Sequence, residues 1–469
     1  MLNISNRARW AVAACAIMVV AVACADWKKE LLDPQNPGLI DPTAVGSPSA
    51  AIALKVGAIG RLRNLLNNCD GNAECLWQES GMVADEFKNS DFQPTRQDID
   101  QRNLKSDNTI LGFRPITNIR GPVRDAIAAM REFVPQNTAD IAELYMALAF
   151  VEMSMAENYC NGIPLGSTTA GVISLGPGLT NQQVYDSALT HIDSALGFIN
   201  GTDVASIFVR NASLIVKARI FVDKGGQYAA AAALVPTSVI PSTYQYVWTS
   251  STALNTDDNG LWVLNNSVAR ISVADSFDIV NGQVNVIKNA LPFISANDPR
   301  VPTLSGQAAN PKVNAEDGIT QLWIQRLWPA RDDPVPMVSG IDARLIEAEA
   351  LLNAPDYPGM VAILNQLRTD RPAIGNFRPA VMTATLAVPT SKLAAEDLFF
   401  REKAFWTFGR GQRMSDLRRL IRQYGRTQDN VFPSGVYFKG GTYGTDVNFP
   451  VPDAELLNPN FTGCIDRNA

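Results

Sequence analysis

Two stretches of this 469-residue chain repeat one pattern, and that pattern restricts the folds open to it. Lys217-Ala218-Arg219-Ile220-Phe221-Val222-Asp223 runs into a Gly225-Gly226 break, then Tyr228 and an alanine-rich segment. Glu347-Ala348-Glu349-Ala350-Leu351-Leu352-Asn353 runs into Pro355-Asp356, then Tyr357 and a further apolar segment. Each reads as helix, breaker, helix, with small residues that let two antiparallel helices approach closely. Helical spacing recurs elsewhere. Ile52, Val56, Ile59, Leu62 and Leu66 step by three and four through 47–68. The same periodicity predicts helices over 118–133, 140–159, 182–199, 204–223, 227–235, 341–353 and 358–368.

The repeat period is irregular, so the chain reads as mostly α with TPR-like hairpins rather than a regular array. The predicted organisation is a leader over 1–23, a tether over 24–45 and one domain over 46–469. Within that domain, TPR-like helices cover about 46–235 and 341–425. An irregular insert covers 236–338 and a C-terminal loop region covers 426–469. The insert is rich in Pro, Gly, Asn and Ser, carries short β-type runs such as Leu261-Trp262-Val263-Leu264, and holds Trp248, Trp262, Trp323 and Trp328. Long irregular segments on a rigid scaffold are where binding surfaces sit.

The first two dozen residues constrain location. Arg7 and Arg9 precede fourteen apolar residues from Trp10 to Ala23, too few to cross a hydrocarbon core of ~30 Å and the length of a signal h-region. Ala21-Val22-Ala23-Cys24 suits cleavage by a lipoprotein peptidase, which leaves an acylated (palmitate-bearing) Cys24 at the new N-terminus. A plain secretory peptide and an uncleaved anchor are the alternatives. Val12-Ala13-Ala14-Cys15 leaves too short an h-region to be the site. Pro34, Pro37 and Pro42 make the following segment a spacer.

Four cysteines remain beyond the leader and Cys24, namely Cys69, Cys75, Cys160 and Cys464. An even number in an exported chain favours disulfides. Cys69 and Cys75 enclose a polar Asp70-Gly71-Asn72 turn and are expected to pair. That leaves Cys160 and Cys464, either joined or as buried thiols.

Several chemistries are excluded or disfavoured. His191 is the only histidine, which excludes His-rich zinc sites and H-E-x-x-H proteases. A Ser-His-Asp triad would have to use His191, which lies in an amphipathic helical run. Gly409-Arg410-Gly411 begins like a dinucleotide fingerprint, but Met414 takes the third glycine position and no strand precedes it. The partial EF-hand loop over 255–266 ends on Asn266, not glutamate. No metal and no cofactor are expected. Arg401, Arg410, Arg413, Arg418, Arg419, Arg422 and Arg426 crowd one segment. With a net charge of −6, helix charge pairing (Asp397 with Arg401) and contacts to a protein partner outweigh a polyanion site. The same charge argues against nucleic acid.

The C-terminal third carries a series of motifs in order. Ala343-Arg344-Leu345-Ile346-Glu347-Ala348-Glu349-Ala350 is followed by Ile363-Leu364-Asn365-Gln366-Leu367-Arg368, then Phe400-Arg401-Glu402-Lys403, Gly411-Gln412-Arg413 and Ser415-Asp416-Leu417-Arg418-Arg419. Asn448-Phe449-Pro450-Val451-Pro452, Glu455 and Asn458-Pro459 close the chain, and Asn158-Tyr159-Cys160-Asn161-Gly162-Ile163-Pro164-Leu165 lies further forward. This order resembles the SusD/RagB family of nutrient-uptake outer-membrane lipoproteins, whose lipobox Cys24 also matches. Gly409-Arg410-Gly411 and Trp406 depart from the usual pattern and mark a divergent branch.

The resemblance implies a SusD-like fold, with a TPR-like half and an irregular ligand-facing half. It implies a surface-facing protein lipid-anchored in the cell outer membrane. Such a protein captures an oligosaccharide or peptide and delivers it to a TonB-dependent (SusC-like) transporter, with no covalent chemistry. The tryptophan-bearing insert suits glycan capture, because a sugar's C–H face stacks on an aromatic ring while its hydroxyls meet polar side chains. Trp323, Trp328, Trp262 and Arg326 are the expected ligand contacts. A surface-anchored glycan hydrolase, which needs two facing carboxylates, and a scaffold without small ligand are the competing readings.

Overall fold

One helix is enclosed on all sides along more than half of its length, its few charged side chains paired with neighbouring helices. Along Thr138–Asn158, every residue from Met146 onward is buried. The structure is a computed structural model that describes residues 46–66, 75–108, 112–169, 172–253, 257–280 and 282–469. Its helices in chain order are α1 (Pro48–Arg61), α2 (Leu76–Val83), α3 (Pro94–Asp100), α4 (Phe113–Phe133), α5 (Thr138–Asn158), α6 (Asn181–Phe198), α7 (Val204–Lys224), α8 (Tyr228–Leu234), α9 (Gly340–Asn353), α10 (Tyr357–Asp370), α11 (Lys392–Trp406) and α12 (Arg413–Arg422). Helices α4, α6 and α7 pack on α5, and α1 packs on α4. The two repeated segments form the hairpins α7–α8 and α9–α10, joined by packing of α8 on α9. Pro48–Ala469 forms one compact unit.

Local chemistry sets the helix starts. Thr180 and Gln183 form a capping box at α6, Asp203 accepts from the Ser206 amide at α7, and Ser339 and Asp342 cap α9 reciprocally, each satisfying otherwise orphaned amides. Helix α1 ends at Arg61 and tightens into a 3₁₀ turn over Leu62–Leu65, short of the expected 68. Helices α2 and α3 were not expected; at two turns each they are too short for periodicity to register.

Between α8 and α9 the chain is irregular, with short strands paired two by two; the expected β-type run Leu261-Trp262-Val263-Leu264 is instead helical, in a wide turn that ends at Ser267. Gln245–Trp248 pairs with Val335–Ser339, Thr303–Ser305 with Trp323–Gln325, and Phe277–Val280 with Gln283–Val286. Ile271–Val273 pairs with Phe87–Asn89, which ties the insert to the N-terminal part of the unit. Trp248 is core: its ring lies 4.5 Å from Trp77.

The arginine-dense segment lies inside the protein. Arg410, Arg418 and Arg419 are almost wholly buried. Arg410 pairs with Asp342 at 2.6 Å, and Arg419 pairs with Glu349 and with Asp416. Arg418 donates to the Ala156 and Glu157 carbonyls, capping the C-terminal end of α5 where the helix leaves carbonyls unpaired. These cations are consumed by the fold, so a polyanion site does not survive. The proposed Asp397–Arg401 pair is corrected: Asp397 meets Arg426 at 3.0 Å, and the Arg401 guanidinium lies 4.9 Å from the Phe405 ring centroid.

Gly409 and Gly411, at φ +68° and +67°, make the turn from α11 to α12. A Cβ on Gly411 would stand 2.2 Å from Cδ1 of Trp77. The G-x-G spacing thus serves a left-handed turn pressed against an indole.

A disulfide joins Cys160 to Cys464, with Cα atoms 5.9 Å apart. The Ile465 amide donates to the Asn161 carbonyl at 2.8 Å beside it, so the C-terminus is fastened to the end of α5. Cys75 is disulfide-bonded; its expected partner Cys69, the leader 1–23, Cys24 and the rest of the tether to residue 45 lie outside the described residues. Among the described residues no helix is long and apolar enough to cross a membrane.

Candidate functional site

Several connecting segments meet around an open groove of ≈ 730 Å³. They are the stretch after Phe87–Asn89, the Phe277–Val286 hairpin, the Asp317–Gln321 turn and the Phe438–Gly440 loop. Each is shaped by its own side chains. The Asp91 amide donates to Asn89 Oδ1 and the Gln93 amide to Asp91 Oδ1, a pair of Asx-type turns that leaves Phe92 between them 68% exposed. Asp317 accepts from the Ile319 and Thr320 amides at 3.0 and 2.9 Å, so Ile319 stands out at 83% exposure. The Asp317 amide donates to the Ser90 carbonyl at 3.0 Å, which locks this turn to the Phe92 segment.

Charge in the groove is paired. Lys88 bonds Asp278. Lys439 reaches Asp317 at 2.8 Å and donates to the Asp91 carbonyl at 2.6 Å. Partial burial works against ionisation of Asp317, but Lys439 and Thr320 outweigh it and hold the carboxyl below the usual range. Both ammonium groups lie over the Phe438 ring, at 5.3 and 5.6 Å from its centroid. Below the groove, Asp100 accepts from the Asn89 amide and the Tyr437 hydroxyl, each at 2.8 Å. Burial pushes Asp100 up to about 7 and Asp85 well above the usual carboxylate range.

A second, enclosed space of ≈ 10 Å³ lies among Glu157, Arg219, Asp342, Lys403 and Asp416. It is about the size of one water position and belongs to the ionic core around α12. His191 bonds Glu152 at 2.7 Å on the helical scaffold and is partly exposed. Among the described residues no cluster of His, Cys, Asp and Glu is placed to hold a metal ion.

None of the four expected ligand residues lines this groove. Trp328 is corrected outright: it is fully buried. The Gln325 side chain grips its amide and carbonyl at 2.9 and 3.0 Å, and the missing side chains of Gly375 and Gly409 leave space for its indole. Trp262 is half-buried, with the Arg331 guanidinium 6.0 Å from its ring centroid. Trp323 is half-buried in a strand held by Ser272 and Asn265. Arg326 is exposed. The groove residues lie partly outside the insert. Phe92 and Phe438 carry a legible signal in hindsight: each is an aromatic residue in a polar or Gly-rich turn, Asn89-Ser90-Asp91-Phe92 and Phe438-Lys439-Gly440-Gly441.

No protein-family model matches the sequence, and neither does any curated protein. Solved structures do match the fold. A SusD-like carbohydrate-binding protein from Bacteroides fragilis superposes with a TM-score of 0.61 at 12% identity, over 89% of this chain and 99% of that one. A SusD/RagB family protein from Bacteroides thetaiotaomicron gives 0.59 at 13% identity, over 87% and 94%. A laminarin-binding SusD-like protein gives 0.56 at 14% identity, over 89% and 99%. The helical hairpins, the irregular insert and the C-terminal segment pinned to α5 therefore make up a SusD-like fold.

Proposed function

We propose that this chain is a divergent SusD/RagB-family lipoprotein that captures an oligosaccharide in the groove at Phe92 and delivers it to a TonB-dependent outer-membrane transporter. The observation that carries the reading is the groove itself. An exposed ring, Phe92, stands beside exposed aliphatic Ile319 and the neutral polar side chains of Gln97, Thr320 and Gln321. A sugar presents the complementary surface, a C–H face edged by hydroxyls. The carbohydrate-binding and laminarin-binding proteins that share the fold favour a glycan over a peptide.

Binding is favoured over hydrolysis. A glycosidase needs a protonated general acid facing a second carboxylate across the scissile bond. Here Asp278 and Asp317 are each engaged by a lysine, and Asp91 pairs with Arg96.

Acylation at Cys24 would hold the binder at the membrane, beside the transporter that takes its cargo. Two experiments test the proposal. In native gels cast with polysaccharide, the wild-type protein is retarded by at least one of them; uniform mobility in every gel contradicts glycan capture. Cys24→Ser moves the protein from the membrane to the soluble fraction; a variant that stays as firmly bound as wild type contradicts the lipid anchor.

A further inference from the structure

We infer that the groove selects uncharged glycans and turns away carboxylated ones, a step that rests on the glycan-binding reading above. The charged side chains lining it are two lysines and three aspartates, and each is engaged before a ligand arrives. Lys88 holds Asp278, Lys439 holds Asp317 and the Asp91 carbonyl, and the Asp91 carboxylate pairs with Arg96. Arg270 lies a further 3.8 Å from Asp91. The two lysine side chains are only 10% exposed, tucked against the wall and not extended toward the opening.

A uronate or other acidic sugar entering this space would shed water from its own carboxylate. It would meet three fixed carboxylates and two cations already in use. Charge-assisted recognition of a carboxylate needs unmatched donors, ideally a guanidinium fork, and the groove lining contains no arginine. What it offers in quantity is neutral. Gln97 and Gln321 carry hydroxyl-matching donors and acceptors, and Phe92 presents an exposed face. Phe438 is half-buried and has both ammonium groups near its ring, so the exposed Phe92 is the ring that a pyranose can cover.

The test is an array of neutral glycans, each printed beside its own C6-carboxylated counterpart, probed with the wild-type protein and with Gln321→Lys. Gln321 is exposed, so the variant adds an unmatched cation without disturbing the core. For the neutral glycans bound by wild type, the carboxylated partner is expected to bind at least about tenfold more weakly. Gln321→Lys is expected to narrow that ratio. Equal or stronger binding of the carboxylated partners by wild type, or a ratio that Gln321→Lys leaves unmoved, overturns the charge selection while leaving glycan capture standing. Binding to neither set removes the glycan reading itself, and this inference with it.

Discussion

Replacing Arg419 with Met removes the cation at the centre of the ionic core while keeping most of the side-chain volume. The guanidinium is fully buried between Glu349 and Asp416, with Asp223 at 3.6 Å. After the change, Glu349 retains the Tyr424 hydroxyl at 2.7 Å and Asp416 retains Lys403 at 2.6 Å. Neither partner replaces the lost charge at Glu349. Stripping one member from a buried ionic network costs about 3–5 kcal/mol, because the charge left behind stays desolvated and unmatched. Burial already pushes the Asp416 carboxyl up, against the pull of Lys403 and Arg419. Without Arg419 the folded state binds that proton more tightly than the unfolded state, so the deficit grows as pH rises and shrinks as it falls. Urea denaturation of both proteins at pH 5 and pH 8 reads this directly, with the wider gap expected at pH 8. Adding Glu349→Gln to Arg419→Met should recover part of the loss. A variant within about 0.5 kcal/mol of wild type, or a gap that widens toward acid, refutes the reasoning.

Two other outcomes follow from buried groups. Burial pushes Glu79 and Glu86 up to about 8 and Asp100 up to about 7. Their folded-state affinity for protons exceeds that of the unfolded chain, so their contribution is present near pH 5 and is lost as pH rises toward 9. The melting temperature of wild type should therefore be lower at pH 9 than at pH 6, and Glu79→Gln should flatten that slope; a rise in stability toward pH 9 would contradict it. Cys464→Ser opens a link that spans 304 residues of sequence and should cost about 2–5 kcal/mol without reductant. With reductant present in both samples, wild type and variant should melt together, and a variant that melts with wild type in its absence would show that the C-terminal hydrogen bonds suffice.

The helical scaffold was readable in the sequence because it is built from long periodic segments. The two hairpins and α4 to α7 follow from spacing, whereas cysteine parity left Cys160 and Cys464 either joined or as buried thiols, and it is the fold that joins them. What escaped was two-turn structure such as α2 and α3, and the fate of individual aromatics. A tryptophan has no periodic signature that separates platform from core, and Trp328 is core because Gln325, Gly375 and Gly409 make a slot for it. The groove escaped for a related reason. Its parts come from near residues 88–97, 278–279, 317–321 and 438–440, and only the folded chain brings them together. The insert 236–338 supplies part of that surface. The exposed ring Phe92 comes from an N-terminal turn defined by two aspartyl and asparaginyl hydrogen bonds.

If the groove at Phe92 holds a sugar, isothermal titration of wild type and Phe92→Ala with one neutral oligosaccharide that retards the protein should separate the two proteins. Phe92 is 68% exposed, so its removal should leave folding stability within about 0.5 kcal/mol of wild type. Loss of a stacked ring should weaken binding by about tenfold or more. A Phe92→Ala protein that folds as wild type and binds the oligosaccharide equally well would place the ligand elsewhere and contradict the account.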